Sequence, residues 1–181
     1  EKSDFFSLYP LFPSEVQTLN ASDDGRRTAQ VSSWLYADLL NGRPVSVFAM
    51  AVRAGYDCDN PFSRSPQQIL DGLKGMLKKL FGRNQLAYAA GGGIENVGVT
   101  KALNEMLVSA PDGKYIEIFP MWPRNLSASF ENLRVKGALL VSANISASGN
   151  VSDVSVTSTL LKQRVRVMSP WGGKGNVRVS C

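Results

Sequence analysis

A single carboxylate lies inside a glycine-rich segment of the chain. Glu95 stands between Gly91-Gly92-Gly93 and Gly98, directly before a helix-like apolar spacing that begins at Val99. Glycines let the backbone approach a ligand closely, and the free N–H groups of a first helical turn favour negative charge. The pattern predicts an ionised Glu95 at the N-terminus of a helix. Such a carboxylate is suited to activating a water or to accepting hydrogen bonds from sugar hydroxyls. A glutamate that only complements the helix dipole has the same pattern, so both interpretations stay open.

The composition limits the chemistry. Histidine is absent, which excludes a Ser-His-Asp triad, a histidine-ligated zinc site and a histidine general base within this chain, so carboxylates must do any acid–base work. No metal site is predicted. Asp57, Asp59 and Asn60 around Cys58 offer oxygen ligands but lack the spacing and the glycine of a calcium loop, so a turn is predicted there.

The overall composition is that of a globular chain. Of its 181 residues, 44% are hydrophobic and 19% charged, and no stretch approaches the roughly 20 apolar residues of a membrane span. The first residues have no hydrophobic signal region, so we expect any signal peptide to be already removed. The net charge is +5, but the basic residues are scattered, and we predict no nucleic-acid partner. Lys162, Arg164 and Arg166 share one face of a predicted strand, which is either a site for an acidic polysaccharide or a solvated outer face.

Two features favour the secretory pathway. Four Asn-x-Ser sequons occur, at Asn20, Asn125, Asn144 and Asn150. Four in a chain of this length favour a secreted glycoprotein, and we expect at least one of them to carry an N-linked glycan. The two cysteines, Cys58 and Cys181, are consistent with one bridge in an oxidising compartment or with a bridge to another chain, and their pairing stays open.

The apolar period changes once, near Asp112-Gly113. Before it, the segment 5–13 is rich in aromatic residues and prolines and is predicted to be an ordered loop. Four helices are predicted in this part of the chain: over 23–41, over 44–54, from Ser65-Pro66 to Leu80, and after Gly98. After it, the period of two predicts strands. These are Tyr115 to Phe119, Ser129 to Val135, Ala138 to Ile145, Val151 to Thr157, Leu161 to Val167 and Gly175 to Val179. The fold class is therefore α+β, with paired helices in 1–112 and an antiparallel sheet in 113–181.

Several short segments occur in a characteristic order. They are Leu8-Tyr9-Pro10-Leu11-Phe12-Pro13, Gly91 to Gly98, Asn104-Glu105-Met106-Leu107, Ile118-Phe119-Pro120-Met121-Trp122-Pro123, Ala128-Ser129-Phe130, Leu133-Arg134-Val135-Lys136-Gly137 and Leu140-Val141-Ser142. The order resembles the C-terminal part of glycoside hydrolase family 95 proteins and their eukaryotic relatives. The resemblance implies the last helices of an (α/α)6 toroid followed by a β-sandwich, in an inverting enzyme that cleaves terminal α-L-fucosides or α-L-galactosides without a cofactor.

The resemblance also implies site residues. The family's Ile-Asp-Gly-Asn-Phe-Gly segment falls on Ile94 to Gly98, which carries its water-activating aspartate onto Glu95 and makes Asn96 a sugar or water ligand. Here the carboxylate is one methylene longer, the segment is one residue shorter, and the family's histidines are replaced by Asp4-Phe5-Phe6-Ser7. The general acid would lie upstream of Glu1. We therefore expect the remainder of the same precursor to be a partner chain.

Two hypotheses follow. One is the end of a secreted glycosidase that binds carbohydrate at Glu95 and Asn96. The other is a relative that has lost catalysis and serves as a structural or carbohydrate-binding part of an extracellular assembly. Two interpretations of Trp122 stay open: it stacks on a sugar ring, or, as the proline-bracketed turn Met121-Trp122-Pro123 favours, it packs between two domains.

Overall fold

The structure, a computed structural model, describes Gly25, Thr28 and residues 46–80, 93–111, 115–160 and 163–171. The chain divides into two compact units, Glu1–Met106 and Leu107–Cys181. Gly25 and Thr28 are helical, and the rest of the predicted opening loop and first helix lies outside the described residues. The sequence predicts the boundary between the two parts at 112/113. Among the described helices, none is long and apolar enough to cross a bilayer.

The described part of the first unit consists of helices and the connection over 55–65. Three helices have defined bounds: α1 is Ser46–Ala54, α2 is Pro66–Leu80 and α3 is Gly93–Leu107, whose last residue already belongs to the second unit. The helix α1 ends where the sequence predicts, because Gly55 adopts a φ of 75° that glycine tolerates and its N–H donates to the carbonyl of Val52 at 3.2 Å. Its residues from Phe48 to Ala54 are all buried.

The start of α2 is a capping box. Ser65 Oγ accepts the N–H of Gln68 at 3.2 Å, and Gln68 Oε1 accepts the N–H of Ser65 at 2.9 Å. These two bonds satisfy donors that have no carbonyl partner in the first turn. Ser65 is thus the N-cap and Pro66 the first helical residue, and the predicted start of this helix at Ser65-Pro66 is confirmed.

Helices α1 and α2 contact each other at Gly72. A Cβ built on Gly72 would lie 2.6 Å from Cε1 of the buried Phe48, whereas one on Gly75 would have nothing within 4 Å. We expect Gly72→Ala to lower the free energy of unfolding by about 1–3 kcal/mol, because the Phe48 ring has little room to retreat in a close-packed interior. We expect Gly75→Ala to raise it by up to about 1 kcal/mol through helix propensity. Urea denaturation followed by far-UV circular dichroism measures both. Equal stability of the two variants would contradict this packing.

The second unit contains two three-stranded sheets among its described residues. One has the order β1-β2-β6, with β1 Val108–Ser109, β2 Tyr115–Ile118 and β6 Arg166–Val167. The other has the order β3-β4-β5, with β3 Ala128–Val135, β4 Leu139–Ile145 and β5 Val151–Ser158. The mixed α+β class is confirmed. The expectation of a wholly antiparallel sheet is wrong at one place, because β6 pairs with β2 in parallel.

Several strand ends differ from the prediction, and the backbone explains two of them. The strand β2 stops before Phe119, whose φ of 53° lies outside the β region, and β4 begins after Ala138, whose φ is 57°. A strand is predicted from Leu161 to Val167. Of the residues described there, 163–165 are not in a strand and only Arg166–Val167, which is β6, is. The short β1 was not predicted. The strand predicted over 175–179 lies outside the described residues.

Both sheets contribute side chains to one apolar core. Its largest completely buried member is Phe119, whose ring meets that of Phe130 edge-on at a centroid distance of 5.3 Å and an angle of 66°. Such edge-to-face pairs stabilise a core beyond the area that they bury. The other buried members are Val108, Ile116, Ile118, Leu139, Val141, Ala143, Ile145 and Val151. The core explains why β4 alternates between buried and half-buried residues along its whole length.

Candidate functional site

The helix α3 begins inside the glycine-rich segment. It starts at Gly93, so Glu95 is its third residue and Asn96 its fourth. The prediction that Glu95 precedes the helix is therefore wrong: α3 begins at Gly93, between one and two turns before Val99, and includes both Gly93 and Gly98. First-turn N–H groups lack carbonyl partners and favour negative charge, so an ionised carboxylate at 95 stays a prediction. The side chains of Glu95 and Asn96 lie outside the described residues.

The Cα atom of Glu95 lies on the same side of α3 as two buried residues further along the helix. It precedes Ala102 by seven residues and Met106 by eleven, and both of these are 0% exposed. These separations are close to two and three helical turns, so the three Cα atoms lie along one side of the helix. The apolar spacing that begins at Val99 includes Leu103, but Leu103 is 37% exposed and so lies outside the buried side. The buried side is instead shifted toward Gly98 and Glu105.

A buried ion pair fixes the second half of α3 to α1. The guanidinium of Arg53 donates from Nε to Glu105 Oε2 at 2.8 Å and from Nη2 to Glu105 Oε1 at 2.6 Å. The two side chains are 6% and 13% exposed. Lys101 Nζ also lies 3.0 Å from Glu105 Oε1, one helical turn away. Such a bidentate contact sets both the distance between the two helices and their relative orientation.

This pair is a positioning element for α3. Glu105 is ten residues from Glu95, which corresponds to about 15 Å along a helix. Sequence reasoning did not identify Arg53 or Glu105. The available signal was a lone arginine inside the apolar run Phe48–Ala54, since an arginine is seldom fully buried unless it is paired.

Trp122 lies at the border of the apolar core of the second unit. It is half-buried, it packs against that core, and its indole Nε1 donates to the carbonyl oxygen of Leu126 at 3.0 Å. The hydrogen bond and the packing hold the ring within the turn that follows β2. Stacking of a sugar on its remaining exposed surface stays a prediction.

The acidic segment around Cys58 is a hydrogen-bonded turn. Asp57 Oδ1 accepts the N–H of Asp59 at 3.0 Å, and the N–H of Asp57 donates to Ser63 Oγ at 2.8 Å. One ligand atom each of Asp57, Cys58 and Asp59 lies within 4.8 Å of the others. The turn accounts for this clustering. Cys58 is exposed and has no disulfide partner among the described residues, and Cys181 lies outside them.

The remaining candidate residues are the basic residues of the strand predicted from Leu161 to Val167 and the sequon asparagines. Arg164 and Arg166 are exposed, while Val165 between them packs against the core, so the predicted alternation holds there. Lys162 lies outside the described residues. Asn125 and Asn150 are exposed, Asn144 is half-buried in β4, and Asn20 lies outside the described residues.

Glu117 is a second carboxyl group with a perturbed environment. It lies in β2 between Ile116 and Ile118, which face the core, so its side chain leaves from the opposite face. Its Oε2 atom is buried and accepts no hydrogen bond from the residues that the structure describes. This burial raises the pKa of Glu117 above its ordinary value. Sequence alternation had no means of detecting this, because the position is typical of a solvated strand residue.

The raised pKa gives a pH dependence of stability. The folded state binds the Glu117 proton more tightly than the unfolded state does, so stability is fully present at low pH and falls as the pH rises through the folded pKa. We expect Glu117→Gln to leave stability unchanged below about pH 4 and to raise it by about 1 kcal/mol at pH 7, since part of the side chain still meets solvent. Denaturant titrations across this pH range measure it. Glu131→Gln, at an exposed position of β3, is the control, and an equal pH profile for both variants would contradict the prediction.

Comparisons with known proteins leave the family undetermined. No protein-family model matches the chain, and a search of curated proteins finds no significant match. The resemblance to glycoside hydrolase family 95 thus rests on the order of the segments in the sequence.

Proposed function

We propose that this chain is the C-terminal part of a secreted glycoside hydrolase that removes terminal α-L-fucosyl or α-L-galactosyl groups with inversion. The observation that supports it most is the position of Glu95 in the first turn of α3, on a helix held by the buried Arg53–Glu105 pair. The resemblance assigns the water-activating carboxylate to that position. In this proposal the helices belong to an (α/α)6 toroid and the two sheets of the second unit to a β-sandwich.

The chemistry follows from an ionised Glu95. In an inverting glycosidase, one carboxylate takes a proton from a water as the water attacks the anomeric carbon, and a carboxylic acid on the opposite side protonates the departing oxygen. Glu95 is suited to the first role because the helix N-terminus stabilises its charged form. Asn96 would hold the water or a sugar hydroxyl. The acid would come from the remainder of the precursor, about 6.5–9.5 Å from Glu95.

Turnover by the native protein tests the proposal. Material purified with all of its associated chains is assayed on a panel of α-L-fucosides and α-L-galactosides, with matched β-anomers as controls. Release of fucose or galactose from the α-anomers alone supports the proposal. No release from any member of the panel would overturn it.

A second candidate is a relative without catalysis that binds carbohydrate or supports an extracellular assembly. The complete absence of histidine and the longer carboxylate at 95 favour it. A displacement of the carboxyl group by about an ångström removes much of a catalytic rate. Binding of fucosylated glycans without any turnover, measured by calorimetry on the same preparation, would favour this candidate.

A further inference from the structure

The three described sequon asparagines have different surroundings. Asn150 follows the β4–β5 turn and is exposed, and its Nδ2 donates to the neighbouring Ser148 Oγ at 3.1 Å. Asn125 is exposed in the segment between β2 and β3. Asn144 lies on β4, the central strand of its sheet, and is half-buried. N-glycosylation needs an amide nitrogen that can carry a bulky sugar, so these differences bear on which sites are used.

Asn144 is part of the sheet. It lies between Ser129 of β3 and Ser152 of β5 in the pairing register, and its Nδ2 donates to Asp153 Oδ2 at 2.8 Å. Asp153 has a φ of 52°, and the β4–β5 register shifts between Ser142 and Asn144. The Asn144–Asp153 bond thus closes a β-bulge, a feature that bends a strand and leaves a residue out of the ladder. Of the three described sequon asparagines, Asn144 alone is half-buried and on a central strand, so its Nδ2 has the least space for a sugar.

The two exposed sequons lie at the same end of the sheet. A Cβ on Gly149, in the β4–β5 turn, would lie 3.2 Å from the carbonyl oxygen of Arg124, which directly precedes Asn125. The φ of Gly149 is 80°, and this conformation brings the turn against the segment that holds Asn125. The sequons of Asn125 and Asn150 therefore adjoin.

We propose that Asn125 and Asn150 carry N-linked glycans that together cover the β4–β5 turn, and that Asn144 stays unmodified as a structural amide. In this modification the anomeric carbon of the oligosaccharide forms a bond to Nδ2 and breaks its bond to a lipid diphosphate carrier, while the amide loses one proton. The remaining N–H of Asn150 can keep its contact with Ser148. The inference depends on entry into the secretory pathway, which belongs to the proposed function.

Site-resolved mapping tests the inference. The full precursor is expressed in a eukaryotic cell behind a general signal sequence, so that entry into the pathway does not depend on its own localisation. Glycans are released enzymatically in heavy-oxygen water, which labels each formerly modified asparagine. We expect label at Asn125 and Asn150 and none at Asn144. Label at Asn144, or its absence at either of the other two, would overturn the assignment, whatever the enzymatic activity of the product.

Serine variants give a matched test that keeps every asparagine. Ser127→Ala and Ser152→Ala remove the sequons of Asn125 and Asn150, and each should lower the glycoprotein mass by one glycan. Ser146→Ala removes the sequon of Asn144 and should leave the mass unchanged. A one-glycan loss in Ser146→Ala would contradict the inference. The mapping of the unsubstituted protein decides the case if a variant fails to fold.

Discussion

Replacing Glu95 by glutamine is expected to lower kcat on an α-L-fucoside by on the order of a hundredfold or more, with a small change in KM. Glutamine has the shape of glutamate but cannot take a proton from the attacking water. The loss should therefore appear in the chemical step and not in folding, so the far-UV circular dichroism spectrum should match that of the unsubstituted protein. Steady-state kinetics of the complete native assembly measure the effect.

The control for this variant is Glu131→Gln, which removes a carboxylate from an exposed position of β3 in the second unit. Its kcat should equal that of the unsubstituted protein. A second variant, Glu95→Asp, restores the residue type of the resembled family and should keep more activity than Glu95→Gln, because it retains a base. Unchanged turnover in Glu95→Gln would remove Glu95 from the mechanism.

Arg53→Ala is expected to lower the free energy of unfolding by about 3–5 kcal/mol. The variant leaves the Glu105 carboxylate buried with Lys101 as a more exposed partner, since the side chain of Lys101 is 38% exposed and that of Glu105 only 13%. An uncompensated buried charge is costly, whereas its replacement together with its partner is often neutral. Denaturant unfolding of the native assembly measures the loss.

A double-mutant cycle separates the pair from the packing of its side chains. Arg53→Met and Glu105→Leu are made singly and together, and the double variant should recover most of the stability that either single variant loses, because neither charge of the pair is then left without the other. Lys101→Ala should cost less than about 1 kcal/mol, the usual size of a contact with an exposed ion. Equal losses for Arg53→Ala and Lys101→Ala would contradict the role given to Arg53.

The ends of a helix could be predicted where they are determined by residues close to them in sequence. The capping residue Ser65, the proline at 66 and the terminal Gly55 each act within one turn of the helix end, so their effect is visible in the sequence. The start of α3 could not be predicted in this way. Glycines disfavour a helix locally, yet Gly93 and Gly98 lie inside one whose other residues, such as Ala102 and Met106, are buried.

The strands show the same limit. Alternating apolar residues predict β3, β4 and β5 to within a residue or so, because each forms a hairpin with its neighbour in sequence. The parallel pairing of β2 with β6 joins segments that are far apart in the chain, and no local pattern specifies it. The positive φ of Phe119, a bulky residue in the core, is likewise set by tertiary packing.

Some residues of the candidate site could also be predicted from the sequence and others could not. The carboxylate at 95 could be found from its glycine neighbours and from the order of the surrounding segments. The ion pair that positions its helix joins residues 52 apart in sequence, and an arginine in an apolar run does not name its partner. The buried Oε2 of Glu117 lies on a strand face that alternation alone predicts to be solvated.

The most direct measurement of the central claim is the stereochemistry of the first product. The native assembly is mixed with an α-L-fucoside in a proton NMR tube, and the anomeric signals are followed before mutarotation equilibrates them. Attack by a water that Glu95 activates gives β-L-fucose as the first product. Initial release of α-L-fucose would require a covalent intermediate and would contradict the role of Glu95 as the base that activates water.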